Sequence, residues 1–215
     1  MNPIHGWTLD PRDIRRTGHG LRRPECVLHD RNGDLWVADL GGVIRVGADG
    51  SQVRLGARDG AGGPHAPDGD GVVGVDISAN AGLSLPNGLC FDGDDAFIIA
   101  NFGTNVIERL GRDGRYERVL DAIDGVPLGK TNFPAIDRAG RLWFSVTASA
   151  EDWRTGLRTS PSGYIAVIDA GGARIVARGL GGTNELRFDP DEEWLYVAET
   201  GADHITRFRV GPTPR

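Results

Sequence analysis

The stretch PNGLCFDGDDAFIIAN, residues 86–101, decides the fold. It reads as two short apolar runs hinged on the turn pair Asp92-Gly93, with a polar residue, Asn87, five positions before that aspartate. The pattern returns in PECVLHDRNGDLWVAD (24–39), TNFPAIDRAGRLWFSV (131–146) and TNELRFDPDEEWLYVAET (183–200). Glu25 precedes Asp30, Asn132 precedes Asp137 and Asn184 precedes Asp189 by the same five residues. A second strand then opens at Leu35, Phe97, Leu142 and, in the last unit, Trp194 or Leu195. From Glu25 onward the units start 62, 45 and 52 residues apart (87 − 25, 132 − 87, 184 − 132). A period of about 50 residues with several short strands per unit is the signature of a β-propeller. The chain is therefore expected to be all-β, with about four blades near 24–56, 86–120, 131–178 and 183–210. A β-sandwich also alternates apolar and polar residues, but it does not predict the polar-x4-Asp spacing four times.

Within the units, strands are expected near 86–91, 96–101, 105–110 and 115–120, and near 131–136, 141–147, 163–168 and 173–178. The last unit offers three, near 184–188, 193–199 and 203–210. Two readings of that short unit stand. The N-terminal segment, 1–23, supplies a closing strand, or the chain is the front part of a longer propeller.

Composition agrees with a turn-rich fold. Glycine accounts for 33 of 215 residues, against a usual share of about 7 %, and it is scattered between apolar runs. With 24 basic and 30 acidic residues the net charge is −6, which disfavours nucleic acid and anionic membranes as partners and favours a cation. The start, MNPIHGWTLDPRDIRR, lacks the apolar stretch of a secretory signal, so the cytoplasm is the expected location. Cys26 and Cys90 each sit in a strand-like run and read as reduced core thiols, with a disulfide as the alternative.

In a propeller blade the innermost strand runs beside the central channel, and its first residue stands at one mouth. Glu25, Asn87, Asn132 and Asn184 hold that position. Four blades would thus turn one carboxylate and three amide oxygens towards one axis. Hard cations take such oxygens, whereas zinc prefers histidine or thiolate. The competing reading is that each residue caps the turn into its strand.

These runs, with LPNGLCFD (85–92) and GKTNFPAIDRAGRLWFS (129–145), resemble the senescence-marker-protein/gluconolactonase/luciferin-regenerating-enzyme family of regucalcin-like six-bladed propellers. The resemblance runs over about residues 20–210. It implies one divalent cation at the channel mouth, calcium first, with zinc, manganese or magnesium as alternatives, and hydrolysis of lactones. Carried over, Glu25, Asn132 and Asn184 are the metal ligands, and Asn132 and Asn87 contact substrate; Trp153 is added as a substrate contact from its place in the insertion 148–162. The catalytic aspartate of the family, in a Pro-Asp-Gly run one blade further on, is expected beyond Arg215, so the catalytic residue is unknown here and the chain reads as C-terminally truncated.

Two long segments reach the same mouth: 56–85, rich in Gly and Asp, and the insertion 148–162, in which Trp153, Arg154 and Arg158 are placed to meet a ring-shaped or acidic small molecule. Asp39, Asn101, Thr147 and Glu199 end the second strands at this rim. Trp36, Trp143, Trp194 and Tyr196 recur on those strands and read as packing between blades. The five histidines show no metal-ligand spacing, PDGDG (67–71) lacks the twelve-residue calcium-loop pattern, and no Gly-x-Ser-x-Gly elbow occurs. A metal-dependent lactonase is expected, against a non-catalytic metal-binding or interaction propeller, an inactive fragment, or a lyase on the same fold.

Overall fold

A computed structural model describes residue 6 and residues 8–58, 82–149, 153–158 and 161–210. The second half of each repeat pairs back on the first, so every unit becomes an up-and-down antiparallel sheet. Blade 1 consists of β1 (Cys26–His29), β2 (Leu35–Asp39), β3 (Gly42–Val46) and β4 (Gln52–Leu55) in sequential order. Blade 2 is β5 (Pro86–Asp92), β6 (Ala96–Asn101), β7 (Val106–Gly111) and β8 (Tyr116–Leu120). A two-stranded hairpin, β9 (Ala122–Ile123) and β10 (Val126–Pro127), leads out of it through Asp124-Gly125, both at positive φ. Blade 3 is β11 (Thr131–Ile136), β12 (Leu142–Val146), β13 (Gly163–Asp169) and β14 (Gly172–Leu180), with α1 (Trp153–Arg158) inserted between β12 and β13. Blade 4 shows three strands, β15 (Thr183–Phe188), β16 (Trp194–Glu199) and β17 (His204–Arg209).

The expected strands match these within a residue or two. Two elements were not foreseen: the β9–β10 hairpin, whose strands are too short to show alternation, and α1 inside the 148–162 insertion. The role of closing strand is not seen in residues 8–23, which hold one 3-10 turn (Pro11–Asp13) and no strand. Instead the His19 N–H donates to the Gln52 side chain at 2.6 Å, laying this segment along the outer strand of blade 1. Residues 59–81, the middle of the Gly/Asp-rich segment, and the PDGDG run lie outside the described residues.

Three apolar layers fill the boundaries between neighbouring blades. Trp36, Ala38 and Val43 of blade 1 meet Leu89, Phe97, Ile99 and Leu110 of blade 2. Ile98, Ala100 and Ile107 of blade 2 meet Phe144, Val146, Tyr164 and Ala166 of blade 3. Phe133, Trp143 and Ile165 of blade 3 meet Leu186, Leu195 and Val197 of blade 4. Each fully buried side chain of this size stabilises by about 1.5–3 kcal/mol, so these layers hold the blades in their angular order. Trp36 lies tilted against Phe97 with ring centres 4.9 Å apart, and Trp143 meets Phe188 edge-on at 5.7 Å, both across a blade boundary. Trp194 and Tyr196 differ from expectation. Tyr196 is 37 % exposed and the Arg207 guanidinium covers Trp194 at 4.3 Å, because no sheet of the described residues lies against that face.

The repeated aspartates shape the far end of the blades. Asp30 accepts from the backbone of Asn32 and Asp34 and from the Trp36 indole at 2.8 Å. Asp137 does the same with Ala139, Arg141 and Trp143. An aspartate that closes its own turn while orienting the blade's tryptophan explains why it recurs at a fixed distance from the mouth.

Candidate site at the channel mouth

Antiparallel pairing puts the start of each innermost strand beside the end of its second strand: Cys26 opposite Ala38, Pro86 opposite Asn101, Thr131 opposite Val146 and Thr183 opposite Glu199. All four repeated polar residues therefore lie at one end of the channel. The three asparagines share a feature that periodicity does not reveal. The register slips between Pro86 and Leu89, between Thr131 and Phe133, and between Thr183 and Leu186. Asn87, Asn132 and Asn184 each sit in such an irregularity, a device that re-aims a side chain at the rim of a sheet.

The side chains of the first three blades join into one directed chain of hydrogen bonds. Arg23 Nη2 stands 3.5 Å from the Glu25 carboxylate and donates to Asn87 Oδ1 at 2.7 Å. Asn87 Nδ2 donates to Asn132 Oδ1 at 3.0 Å, and Asn132 Nδ2 to Thr147 Oγ1 at 2.9 Å. The Thr147 hydroxyl in turn donates to the Thr183 carbonyl at 2.8 Å. Asn87 and Asn132 are buried, while Glu25 keeps a side chain 40 % exposed. Asn184 stands apart. It is exposed, its Nδ2 donates to Thr200 Oγ1 at 3.2 Å, and its link to blade 3 runs through its backbone carbonyl, which accepts from Ser145 at 2.6 Å.

Gly88 makes the close approach of blades 2 and 3 feasible. A Cβ there would lie 2.6 Å from the Phe133 Cα and 2.7 Å from the Asn132 carbonyl. Only hydrogen fits, and that fit lets the Asn87 amide reach Asn132.

The residues that end the second strands fasten the segments leading into the inner strands. Asp39, fully buried, accepts the backbone N–H of Arg22 and of Arg23 at 2.8 and 2.7 Å, and pairs with Arg54 at 2.9 Å. Asn101 accepts from the Leu85 N–H at 2.9 Å and donates to Ser84 and to buried Glu108. Glu199 accepts from the Gly181 N–H at 2.6 Å and from Thr206 and His204. Burial raises the Glu199 pKa, but the Thr206 hydroxyl, the Gly181 N–H and His204 outweigh it and leave the carboxyl below its ordinary value.

Helix α1 of the insertion touches the rim at both of its ends. Trp153 packs edge-on against Phe102 of the blade 2 rim, with centroids 5.4 Å apart, beside Leu40 and Leu85. At its other end α1 rests on Gly182 and Gly201 of blade 4, where an added Cβ would meet Leu157 at 2.5 and 2.0 Å. Arg154 is exposed, with its guanidinium 5.0 Å from the Trp153 ring centre, and the Arg158 side chain lies outside the described residues. Lys130, two residues before Asn132, points its Nζ at the Phe102 carbonyl at 3.2 Å, and desolvation holds its pKa below the ordinary lysine value. Neither Arg23 nor Lys130 stands out in the sequence, since both occur in basic or turn-like pieces outside the repeat.

Among the described residues no three of His, Cys, Asp and Glu gather into a metal-binding cluster. The donors at the mouth are one carboxylate and amide oxygens, the type that suits a hard cation. A cationic group already stands among them, the Arg23 guanidinium, 11 % exposed. The donor set thus fits a positive charge. The thiols take no part: Cys26 and Cys90 are free, and burial pushes Cys90 up to about 12. A cleft of about 650 Å³ between blades 1 and 2 opens at the opposite end, lined by His29, Asp30, Phe91, Asp94 and Arg112, and holds none of the mouth residues. No helix among the described residues is long and apolar enough to cross a membrane.

The same architecture is found in solved proteins. A gluconolactonase from Xanthomonas campestris superimposes with a TM-score of 0.64 at 22 % identity, covering 87 % of this chain and 58 % of that one. The nidogen/laminin complex gives 0.60 at 15 % identity, with 88 % and 61 % covered. Virginiamycin B lyase from Staphylococcus aureus gives 0.52 at 17 %, with 90 % and 57 % covered. At these identities the likeness is one of fold, and the chain spans about three fifths of those proteins. No curated protein matches by sequence. The sequence profile described as the SMP-30/Gluconolactonase/LRE-like region matches residues 83–215, which takes in Asn87, Asn132 and Asn184 and leaves out Glu25, and the chain belongs to that family.

Proposed function

We propose that this propeller carries the channel-mouth half of a hydrolase for lactones or related cyclic esters, dependent on a divalent cation. The observation that carries the proposal is the side-chain network of Glu25, Asn87 and Asn132 at one mouth, two of its members re-aimed by strand irregularities. Glu25, Asn132 and Asn184 would hold the ion. The chemistry such an ion supplies when bound is polarisation of the ester carbonyl and acidification of a water.

The chain's own residues do the rest. The Asn132 amide, clamped by Asn87 and Thr147, cannot rotate without breaking two hydrogen bonds, so it presents a fixed polar edge to a ring ester. Trp153 and the α1 turn supply an apolar wall that favours a compact ring and limits water. Support for this chemistry comes from the family, and from the gluconolactonase among proteins of the same fold. The small-molecule substrate and a cytoplasmic location belong to the same proposal.

The test is hydrolysis of D-glucono-δ-lactone followed by acid release, with calcium, zinc or manganese added, for the chain and for Glu25→Gln and Asn132→Ala. Turnover above the spontaneous rate, lost in both variants, is the expected result. Turnover that survives both would remove these residues from the chemistry. A second reading, a non-catalytic propeller, is favoured by one observation: the Arg23 guanidinium stands where an ion would be held. It predicts no turnover with any of the three metals.

A further inference from the structure

We propose that Arg23 is a built-in competitor for the divalent cation, so that the mouth exchanges an internal guanidinium for a metal ion. The inference rests on reading Glu25 and the asparagines as a cation cradle, and it identifies the residue that decides which cation fills it.

Three observations carry it. Arg23 is committed to the cradle by both terminal nitrogens: Nη2 to Asn87 Oδ1 at 2.7 Å and near Glu25 at 3.5 Å, and Nη1 to the Pro86 carbonyl at 3.3 Å. Its backbone is fixed by Asp39, fully buried, through the N–H groups of residues 22 and 23. The guanidinium is therefore aimed by the fold and does not wander in from solvent.

Third, Arg23 sets the direction of the whole hydrogen-bond chain. Because Asn87 turns its oxygen to Arg23, its nitrogen faces Asn132, and that occupies the Asn132 oxygen as well. Asn132 must then donate to Thr147, and Thr147 to the Thr183 carbonyl. One arginine thus engages the three oxygen groups of Glu25, Asn87 and Asn132.

A calcium-type ion needs such oxygens pointed at itself at about 2.3–2.6 Å. An oxygen receiving an N–H at 2.7 Å is not available in that direction, and two positive centres a few ångströms apart repel. Binding an ion requires Arg23 to leave, and leaving exposes a guanidinium that the mouth had almost enclosed.

The experiment is calorimetric titration of calcium and manganese into the chain, Arg23→Met, Glu25→Gln and the Arg23→Met/Glu25→Gln double variant, each checked for its melting transition. Arg23→Met is expected to bind at least about tenfold more tightly than the parent, since removing the charge removes both the repulsion and the competing donor. The gain should vanish in the double variant. Equal affinities for the parent and Arg23→Met overturn the competition while leaving the cradle intact, provided Glu25→Gln binds more weakly. Absence of binding in all four proteins overturns both. Should Arg23→Met fail to fold, the guanidinium NMR signal of Arg23 in the parent is the readout. A signal unchanged at calcium saturation sinks the proposal, and a shift to the free-arginine position supports it.

Discussion

Asn132 of blade 3 and Asn184 of blade 4 are the same residue at the same point of the repeat, and both sit in a register irregularity. Yet Asn132 is buried and bonded at both ends of its amide, while Asn184 is exposed and its side chain donates to Thr200. The difference lies in what the neighbouring blade offers. Asn132 faces Asn87 across a gap that Gly88 keeps small, and the line continues to Arg23, just ahead of blade 1. Asn184 meets blade 3 through its carbonyl, so its side chain is left towards solvent. A repeated position supplies a candidate, and the contact across the blade boundary makes it part of a network.

The comparison is open to attack, beginning with the fastening residues. Asp39→Ala would leave the Arg54 guanidinium with the Leu40 carbonyl but no carboxylate, and two backbone N–H groups without their acceptor, at a cost of about 3–5 kcal/mol in a urea melt. Glu199→Ala, the counterpart in blade 4, is expected to cost about 1–3 kcal/mol. Equal losses would show that the first blade's mouth is no more tightly built than the fourth's. Gly88→Ala forces the inner strands apart and should destabilise by about 1–3 kcal/mol, whereas Glu185→Ala, beside Asn184, should stay within about 0.5 kcal/mol. A double-mutant cycle on Asn87 and Asn132, read by the same melts, should return a coupling of about 0.5–1.5 kcal/mol. Asn184 with Asn132 should return none.

The smallest effect is on pH dependence. Glu199 has a folded-state pKa below its ordinary value of 4.5, so it stabilises the fold above that pH and the contribution drains away as pH falls through the lower folded value. Glu199→Gln should remove that contribution at neutral pH, change stability least in acid, and so flatten the acid limb below about pH 4.5. An acid limb of unchanged slope would mean that the blade 4 rim carries no such linkage.

Much of the fold was legible because the residues that build a blade are local. In blades 1 and 3 the aspartate that closes the hairpin also takes the indole of Trp36 or Trp143, so spacing and structure have one cause there. Asp92 instead pairs with Arg109, and Asp189 takes the Trp194 backbone N–H. The bulges were not legible, since Asn87-Gly88 and Thr131-Asn132 look like ordinary strand starts. Nor was Arg23, because nothing in Arg22-Arg23 tells that its partner lies 64 residues away. The helix in the insertion is not legible either: six residues of α1 are too few for a helical period, and its shape comes from Phe102, Gly182 and Gly201. By its place in the repeat Trp194 looks as packed as Trp36 and Trp143. Sequence similarity between blades does not say whether a neighbour covers the ring.

The seat of α1 on Gly182 and Gly201 bears on any attempt to retarget this protein. A designer who exchanges the 148–162 segment for one from another homologue, to admit a bulkier ring, moves only half of a joint. The other half is a pair of glycines on a different blade, each leaving no room for a methyl group beneath Leu157. Grafts carrying their own residues at both ends should seat, and grafts of the segment alone should float free of the scaffold.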